Sequence, residues 1–241
     1  MIDIHLHALP GVDDGASDIE EALIMAEMAS EGGAEGIMLT PHANIISIFE
    51  NYYDDKLRVT FNSFKESIKE KNIALDIYEG MEIYGTEEVP RLLKEGRLIS
   101  LNNSRYILIE FPFEGNWGEV NSILNGIKDE GYVPIIAHPE RYACVQRDIG
   151  LVEYWLNQGY HIQVNKGSIL GSLGRGSRIT ATELLNEGFV DFIASDGHGP
   201  YRRTPYLDGV RSIIEEEFSI EEAIRIFDTN PLKVIRNEDI R

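Results

Sequence analysis

The chain has 241 residues, of which 43% are hydrophobic, so it can bury the core of one α/β barrel or of two smaller domains. Its formal net charge of −19 disfavours nucleic-acid binding, which depends on basic surfaces, and leaves an anionic substrate dependent on bound cations and local arginines. The single cysteine, Cys144, excludes an internal disulfide framework and is typical of a reducing compartment, so we expect a cytoplasmic protein.

The first predicted strand covers residues 2–7, in which apolar and polar side chains alternate. Side chains two positions apart on a strand share a face, so His5 and His7 project together with Asp3 beneath them. Two imidazoles at a strand end form a natural pair of metal ligands, although two structural histidines would give the same pattern. The choice between these interpretations depends on partners elsewhere in the chain.

A strand followed by a helix recurs seven times without a linker or an internal repeat, which predicts one domain over residues 1–241. Such units form a parallel sheet, either closed into a barrel or open and doubly wound. In a barrel, the carboxyl ends of the strands meet at one mouth, where active sites are built. The predicted strands cover residues 2–7, 36–40, 73–83 with an interruption at Gly80, 105–111, 133–137, 161–164 and 189–195.

Helices are predicted between these strands from apolar residues at helical spacing and from end signals. Residues 17–20 have the form of a capping box for the first helix, and Gly32 and Gly33 end it. We find neither a signal peptide nor an apolar run of the roughly 20 residues that span a bilayer, so membrane insertion is not expected. A second helix is predicted to end near residue 71, and further helices are predicted over 87–95, 116–130 and 151–157. A glycine-rich loop over 167–176 precedes a helix over 179–187. Two C-terminal helices follow, and the second begins with a capping box at 219–222.

Side chains that bind metals cluster at the ends of the predicted strands, and five of the six histidines are among them. A random scatter of structural histidines would not produce this clustering. Carboxylates that bridge ions and imidazoles that terminate them are the expected ligands of Mn, Zn or Fe. The pattern therefore predicts a polynuclear metal site built from His5, His7, His42, Glu82, Glu110, His138, Asp196 and His198.

These motifs, in this order, resemble the PHP (polymerase and histidinol phosphatase) superfamily. The closer resemblance is to its bacterial tyrosine-phosphatase branch (CpsB/CapC-like), which is found with capsule and exopolysaccharide genes. The resemblance extends from residue 1 to about residue 231. It rests on His5-x-His7, Val-Asp-Asp14-Gly, Thr-Pro-His42, Gly-Met-Glu82-Ile-Tyr, Leu-Ile-Glu110-Phe, Ile-Ala-His138-Pro-Glu-Arg141-Tyr, Gln-Val-Asn165 and Ala-Ser-Asp196-Gly-His198.

The resemblance implies a distorted seven-stranded α/β barrel that holds three metal ions at the mouth of the strands. It also makes Arg141 and Arg203 phosphate-binding and catalytic residues, with the adjacent Arg202 as an alternative to Arg203. Manganese is the expected metal, with iron or zinc as alternatives. The implied ligand sets are His5, His7, Glu82 and Asp196 for one ion, Glu82, Glu110 and His138 for a second, and Asp14, His42 and His198 for a third.

The chemistry of these residue types agrees with that implication. Cations roughly 3.5–4 Å apart lower the pKa of a bridging water and present hydroxide to phosphorus. The same ions neutralise the phosphate oxygens as charge develops, and arginines supply planar bidentate donors. A phenolic leaving group, with a pKa of about 10, needs less help from a general acid than an alkoxide does. Asp196 or a histidine at the rim is a candidate for that acid, and the choice stays open.

Other catalytic chemistries lack their motifs. A thiol phosphatase needs a cysteine followed by five residues and an arginine, but that position after Cys144 holds Gly150. Neither a phosphate loop nor a Gly-x-Ser-x-Gly elbow is present. His161 lies within a predicted strand, away from the mouth, which indicates a structural role. Tyr201 and the segment 45–53 carry aromatic side chains that could contact a substrate ring, and we expect them at the substrate rim.

The sequence thus favours a metal-dependent protein-tyrosine phosphatase. The expected substrate is a phosphotyrosine-bearing protein, in particular the tail of a bacterial tyrosine kinase that controls capsule or exopolysaccharide synthesis. One alternative is a PHP phosphoesterase that hydrolyses a nucleotide or a small-molecule phosphate such as histidinol phosphate. Another is a metal-stabilised scaffold without enzymatic activity. An oligomeric assembly is compatible with each of these functions.

Overall fold

The computed structural model describes residues 1–240, which alternate between short strands and helices along the chain. All strand pairs within its two sheets are parallel, so the α/β class predicted from the sequence is confirmed. The strands are β1 Ile2–Leu6, β2 Gly36–Leu39, β3 His42–Ala43, β4 Asp76–Glu79, β5 Glu82–Tyr84, β6 Tyr106–Glu110, β7 Val133–Ala137, β8 His161–Asn165 and β9 Phe192–Ala194. The helices are α1 Ile19–Glu31, α2 Asp55–Glu70, α3 Val89–Lys94, α4 Trp117–Asp129, α5 Ala143–Arg147, α6 Gly150–Asn157, α7 Lys166–Ile169, α8 Arg175–Asn186, α9 Asp208–Glu217, α10 Ile220–Ile224 and α11 Asn230–Arg236.

The strands form two sheets, with the orders β1-β2-β4 and β3-β5-β6-β7-β8-β9. The chain crosses from the first sheet to the second twice, between β2 and β3 and again between β4 and β5. The strand predicted over 73–83 is therefore two strands in different sheets, and β3 continues the strand predicted over 36–40. Strand pairing in residues 1–240 does not close these sheets into one continuous seven-stranded ring.

The two crossings place His42 beside Glu82. Gly80 can make the second crossing because it has no side chain: a Cβ atom there would lie 2.7 Å from the Leu101 side chain, which real contacts do not allow. Its N–H donates to the Leu39 carbonyl at 3.0 Å, and the Glu82 N–H donates to the Pro41 carbonyl at 3.1 Å. These bonds set the β3–β5 register, in which His42 pairs with Glu82.

The carboxyl end of β1 lies against the segment that follows β9. The His7 N–H donates to the Gly197 carbonyl at 3.0 Å, and the Asp196 N–H donates to the His5 carbonyl at 2.9 Å. The first and last strands of the chain thus meet at their carboxyl ends. This contact brings the two predicted ligand motifs together although almost the whole chain separates them.

The core has two parts, one on each face of the sheets. The larger part packs the helices against the strands, and the smaller part contains side chains from strands of both sheets, such as Ile4, Met38, Leu108 and Phe192. Because side chains alternate along a strand, Tyr106, Leu108 and Glu110 share one face of β6. The buried apolar layer of β6 therefore ends in a carboxylate at the carboxyl edge of the sheet.

Several helix boundaries differ from the prediction. Asp18, rather than Ser17, caps α1: its carboxylate accepts from the N–H groups of Glu20 and Glu21 at 3.0 and 2.9 Å. The predicted cap at Ser219 is confirmed, since its hydroxyl accepts from the Glu222 N–H at 3.0 Å.

The predicted loop over 167–176 and the C-terminal helices also need correction. Most of α7 and the start of α8 lie within 167–176, because Gly174 separates the two helices with a φ of +99°. The C-terminal region contains α9, α10 and α11, with a π-helical turn over Arg225–Thr229 between the last two. Within residues 1–240, none of the helices has the length and apolar character needed to cross a membrane.

Candidate metal centre

His5 and His7 form one side of a buried cluster at the carboxyl end of β1. Their Nε2 atoms lie 3.1 Å apart, and each lies 3.2 Å from Glu82 Oε2. Each Nε2 atom is also 3.5 Å from Asp196 Oδ1. The four side chains predicted to hold the first ion therefore converge on one point, and all four are buried.

Glu82 connects this point to a second group of ligands. Its other oxygen, Oε1, lies 2.8 Å from His138 Nε2, and that nitrogen is 3.8 Å from Glu110 Oε2. One Glu82 oxygen thus faces His5 and His7 while the other faces His138. This division is what a carboxylate that bridges two ions requires.

The third predicted set surrounds Asp14 at the more exposed side of the cluster. Asp14 Oδ1 lies 3.5 Å from the Nε2 atoms of both His42 and His198. His7 is close enough to join this group. The Nδ1 atom of His42 also lies 3.0 Å from Glu82 and 3.1 Å from Glu110, so His42 contacts two of the predicted sets.

The structure thus brings all the predicted ligands to one place. They come from the carboxyl ends of β1, β6, β7 and β9, from the starts of β3 and β5, and from the turn that follows β1. The sixth histidine, His161, lies apart at the start of β8, where its Nδ1 atom is 3.1 Å from the Asp191 carboxylate.

Asp13 is a site residue that the sequence reasoning missed. Its buried carboxylate accepts from His7 Nδ1 at 2.7 Å, from the His42 N–H at 2.9 Å and from the Gly15 N–H at 3.0 Å. The bond to Nδ1 leaves His7 Nε2 directed at the cluster. The only sequence signal was the Asp-Asp doublet, in which Asp14 alone was assigned. Gln163 and Asn165, which belong to the Gln-Val-Asn165 motif but have no predicted role, contact His5 and Asp196 from β8.

Two of the predicted ligands have left-handed backbone conformations. His138 has a φ of +37° and Asp196 a φ of +48°, which is uncommon for residues other than glycine. Hydrogen bonds hold both residues: the His138 N–H donates to the Gln163 carbonyl at 2.7 Å, and the Asp196 N–H donates to His5. Strained backbone of this kind concentrates at functional sites.

The packed carboxylates and imidazoles shift one another's protonation. Burial alone would lower the pKa of His42, but Glu82 and Glu110 outweigh this effect and raise it to about 12. Burial also disfavours protonated His7, yet the Asp13 carboxylate raises its pKa to about 9. Burial would raise the pKa of Glu82, but His5 and His42 hold it well below its usual range. The carboxylates thus favour positive charge at the centre of the cluster.

Divalent cations fit this donor set. Within residues 1–240, the buried atom His198 Nε2 takes part in no hydrogen bond, and neither does Glu82 Oε2, although imidazole nitrogens lie 3.0–3.2 Å from it. A buried polar atom without a partner costs roughly 1–3 kcal/mol, which coordination to a cation would remove. The His198 Nδ1–H donates to the Asp196 carbonyl at 3.0 Å, which leaves the Nε2 lone pair directed toward Asp14.

Two arginines border the cluster on the Asp196 side. The Arg203 guanidinium contacts Asp196 Oδ2, and Arg141 Nη1 lies 3.6 Å from the same oxygen while its guanidinium stacks over Phe113. Arg202 is exposed and forms no ion pair with any residue in 1–240. The geometry therefore favours Arg203 over Arg202 as the second arginine of the site.

The aromatic residues expected at the rim differ in their positions. The Phe49 ring stacks on the His42 imidazole, with a centroid distance of 5.8 Å. Tyr52 instead lies under the Arg97 guanidinium, and Tyr53 donates to Glu79 at 2.7 Å, so both side chains have partners within the protein. Tyr201 is 89% exposed and, together with Arg203, lines a cavity of about 370 Å³ next to the cluster.

The sequence of this chain also matches a family of known proteins. A sequence model for capsular polysaccharide synthesis proteins of the CpsB/CapC type matches residues 1–236. The chain belongs to the CpsB/CapC family. The resemblance to this branch that the motifs indicated is thereby confirmed.

Two named relatives align over the full length of this chain. The tyrosine-protein phosphatase YwqE of Bacillus subtilis is 31% identical over 240 residues, which cover 100% of this chain and 93% of YwqE. The tyrosine-protein phosphatase CpsB of Streptococcus agalactiae serotype V is 31% identical, with both chains fully covered. The alignments are therefore not restricted to the ligand motifs.

A solved structure shows that the fold is shared as well. It comes from the crystallographic work on YwqE from Bacillus subtilis and CpsB from Streptococcus pneumoniae, described there as unique metal-dependent tyrosine phosphatases. It superposes with a TM-score of 0.91 at 31% sequence identity and covers 99% of this chain and 95% of the other. The helices and strands that position the cluster thus belong to the family fold.

Proposed function

We propose that this chain is a metal-dependent protein-tyrosine phosphatase. The convergence of every predicted ligand at one mouth, bordered by Arg141 and Arg203, is the observation that carries the proposal. The names of the CpsB/CapC relatives support the same activity. The proposed substrate is the phosphotyrosine of a protein, in particular the tail of a bacterial tyrosine kinase involved in capsule or exopolysaccharide synthesis.

The proposed cofactors are three divalent ions, most readily manganese, with iron and zinc as alternatives. When bound, such ions activate a water nucleophile and neutralise the phosphate oxygens. The groups around Asp196, around Glu110 and around Asp14 would each hold one of the three ions. His42 contacts Glu82, Glu110 and Asp14, so it can bind either the ion of the Glu110 group or the ion of the Asp14 group.

The two arginines would hold the phosphate of the substrate. Both reach Asp196 Oδ2, so their guanidinium groups already point at the cluster, and a phosphate gives them bidentate acceptors. Burial would raise the pKa of Asp196, but His5 and Arg203 lower it, which keeps it a carboxylate. We therefore propose that Asp196 acts as a ligand and not as a proton donor, and that the phenolate leaves largely unassisted.

We propose that the substrate peptide lies across the rim between Phe49 and Tyr201. Phe49 stacks on His42, and Tyr201 lines the cavity beside Arg203. An exposed aromatic side chain at such a rim can stack on a phosphotyrosine ring or on a neighbouring residue. This arrangement would favour peptide substrates over small phosphates.

We also propose that the two sheets act together as one distorted seven-stranded barrel in a single domain over residues 1–241. If the chain from β2 to β3 counts as one bent strand, and that from β4 to β5 as another, the strands number seven. Strands of both sheets share an interior apolar cluster, and Leu6 bridges to Gly197. The single cysteine supports a cytoplasmic location as a further proposal.

Phosphate release by the purified chain tests the proposed function. With Mn²⁺ added, we expect hydrolysis of a phosphotyrosyl peptide and of p-nitrophenyl phosphate, and we expect EDTA to stop both. His138→Ala, which removes the imidazole beside Glu82, serves as the inactive control. Hydrolysis of histidinol phosphate with the phosphopeptide left intact would instead indicate a small-molecule phosphoesterase. Absence of metal-dependent turnover across mildly alkaline pH would indicate a non-enzymatic scaffold.

A further inference from the structure

Strand β8 contributes no predicted metal ligand, yet two of its side chains connect ligands from opposite ends of the chain. Gln163 and Asn165 are both completely buried and lie two positions apart, on the same face of β8. Gln163 Oε1 lies 2.9 Å from His5 Nδ1, and Gln163 Nε2 donates to Asn165 Oδ1 at 2.8 Å. Asn165 Nδ2 donates to Asp196 Oδ2. The two amides thus form a continuous buried path from His5 to Asp196.

The order of donors and acceptors along this path is determined from its carboxylate end. Asn165 Nδ2 is the donor to Asp196 Oδ2, so the Asn165 NH₂ group faces the carboxylate. The Asn165 carbonyl then faces Gln163 Nε2, and the Gln163 carbonyl faces His5. When His5 is a neutral ligand, its proton must therefore be on Nδ1, which leaves the Nε2 lone pair directed toward Glu82 and Asp196.

The two carboxylate oxygens of Asp196 have different partners. Oδ2 accepts from Asn165 and contacts Arg203. Oδ1 lies 3.5 Å from the Nε2 atoms of both His5 and His7. Asn165 therefore holds the carboxylate so that Oδ1 faces the two imidazoles.

The carboxyl end of β8 is itself firmly held. Glu140 Oε1 accepts from the Asn165 N–H at 3.0 Å and from the Ser168 hydroxyl at 2.6 Å. Glu140 is completely buried and lies in the turn that follows His138. The backbone beneath the two amides therefore cannot shift without breaking these bonds.

We propose that Gln163 and Asn165 are positioning residues that lock the His5 tautomer and the Asp196 orientation for one shared metal ion. The inference rests on the proposed function only in requiring that the cluster binds divalent ions. A hydrogen-bonded partner on the second ring nitrogen of a histidine ligand typically contributes 10–100-fold in metal affinity. This role also gives a function to the carboxyl end of β8, which lies between β7 and β9 and carries no predicted metal ligand.

Gln163→Met tests the proposal because methionine has a similar volume and cannot donate or accept in the path. Zn²⁺ affinity is measured by isothermal titration calorimetry, and the His5 tautomer by ¹⁵N NMR of the Zn²⁺-loaded protein. We expect one Zn²⁺ site to weaken about 10–100-fold. We also expect the His5 signals to lose their single Nδ1-protonated form.

Asn230→Leu is the matched control. Asn230 is a buried amide outside the cluster, where its side chain donates to the Asp191 carbonyl at 2.9 Å. We expect this variant to lose stability while its Zn²⁺ affinity stays within twofold of the wild type. An equal loss of affinity in Asn230→Leu and Gln163→Met would overturn the proposal, because general destabilisation would then explain both.

Three other outcomes of these experiments also test the positioning role or the proposed function. Wild-type Zn²⁺ affinity and an unchanged His5 tautomer in folded Gln163→Met would overturn the positioning role. If Gln163→Met does not fold, Asn165→Ala interrupts the same path, and the same two measurements with the same expectations apply. A wild-type chain that binds no Zn²⁺ and no Mn²⁺ would instead count against the proposed function itself.

Discussion

Asp13 offers a quantitative test of how the cluster is oriented. Its Oδ2 atom accepts from His7 Nδ1 and from the His42 N–H, and its Oδ1 atom accepts from the Gly15 N–H. In Asp13→Asn, one of these oxygens becomes an NH₂ group that cannot accept. The amide keeps the most bonds when its oxygen faces His7 and His42, so the NH₂ group then opposes the Gly15 N–H.

The size of the effect follows from the bonds that change. The variant loses one backbone bond to a carboxylate, and the remaining bond to His7 becomes neutral. Hydrogen bonds to charged groups contribute roughly 1.5–3 kcal/mol, about twice the contribution of neutral ones. Because His7 needs this bond to direct Nε2 at the cluster, we expect metal affinity to fall about 10–100-fold, which equals roughly 1.4–2.8 kcal/mol.

Calorimetric titration of the apo protein with Mn²⁺ measures this change, and thermal unfolding of each variant confirms that it is folded. Asp54→Asn is the control, since Asp54 caps α2 through the Leu57 N–H at 2.9 Å and lies outside the cluster. We expect the control to bind Mn²⁺ with wild-type affinity. Wild-type affinity in Asp13→Asn as well would refute the reasoning that Asp13 orients His7.

Three further predictions address the ligands, the phosphate site and a buried lysine. His138→Gln should abolish Mn²⁺-dependent turnover, whereas His161→Gln should retain it, and equal rates in the two variants would contradict the ligand assignment. Arg203→Ala should raise the KM for a phosphotyrosyl peptide about tenfold or more, because a charge-assisted bond to phosphate is lost, while Arg202→Ala should change it less than twofold. Burial lowers the pKa of Lys166 from 10.5 to about 8. Between these two pH values, Lys166 binds more protons in the unfolded chain than in the folded one. The free energy of unfolding therefore rises with pH in this range, by up to about 3 kcal/mol. Urea unfolding at pH 7 and pH 10 should show this rise relative to Lys166→Met, and a pH-independent difference between the two proteins would contradict it.

The ligand set illustrates how much local sequence can reveal. His5, Glu110, His138 and Asp196 could be assigned because each lies at or just after the end of a predicted strand. The carboxyl ends of parallel strands meet at one edge, so position along the chain predicts position in space. The strand periodicity and the family motifs together were enough to place these residues in one site.

The division into two sheets was not visible in the sequence. The apolar pattern over 73–83 predicts one strand, because the alternation of side chains continues across the interruption at Gly80. At the crossing, a Cβ atom on Gly80 would lie 2.7 Å from the side chain of Leu101, which lies twenty-one residues further along the chain. Strand periodicity carries no information about such a contact.

The roles of the residues that orient the predicted ligands could not be predicted from the sequence for the same reason. Gln163 contacts His5 across 158 positions of sequence, and Asn165 contacts Asp196 across 31. Asp13 is close to His7 in sequence, but nothing in the doublet shows which aspartate faces inward. Hydrogen-bond partners depend on the directions of individual side chains, which only the packed structure sets.

The sequence by itself therefore determined the alternating α/β order, the types of candidate ligand and the strand ends that carry them, since these depend on local spacing and residue chemistry. The tertiary structure decided which sheet each strand joins, that Arg203 rather than Arg202 reaches Asp196, and that His42 contacts two ligand groups. It also decided the tautomer of His5, through two amides on a strand that supplies no predicted metal ligand. These features require groups distant in the chain to meet at hydrogen-bonding distance, and folding alone brings them there.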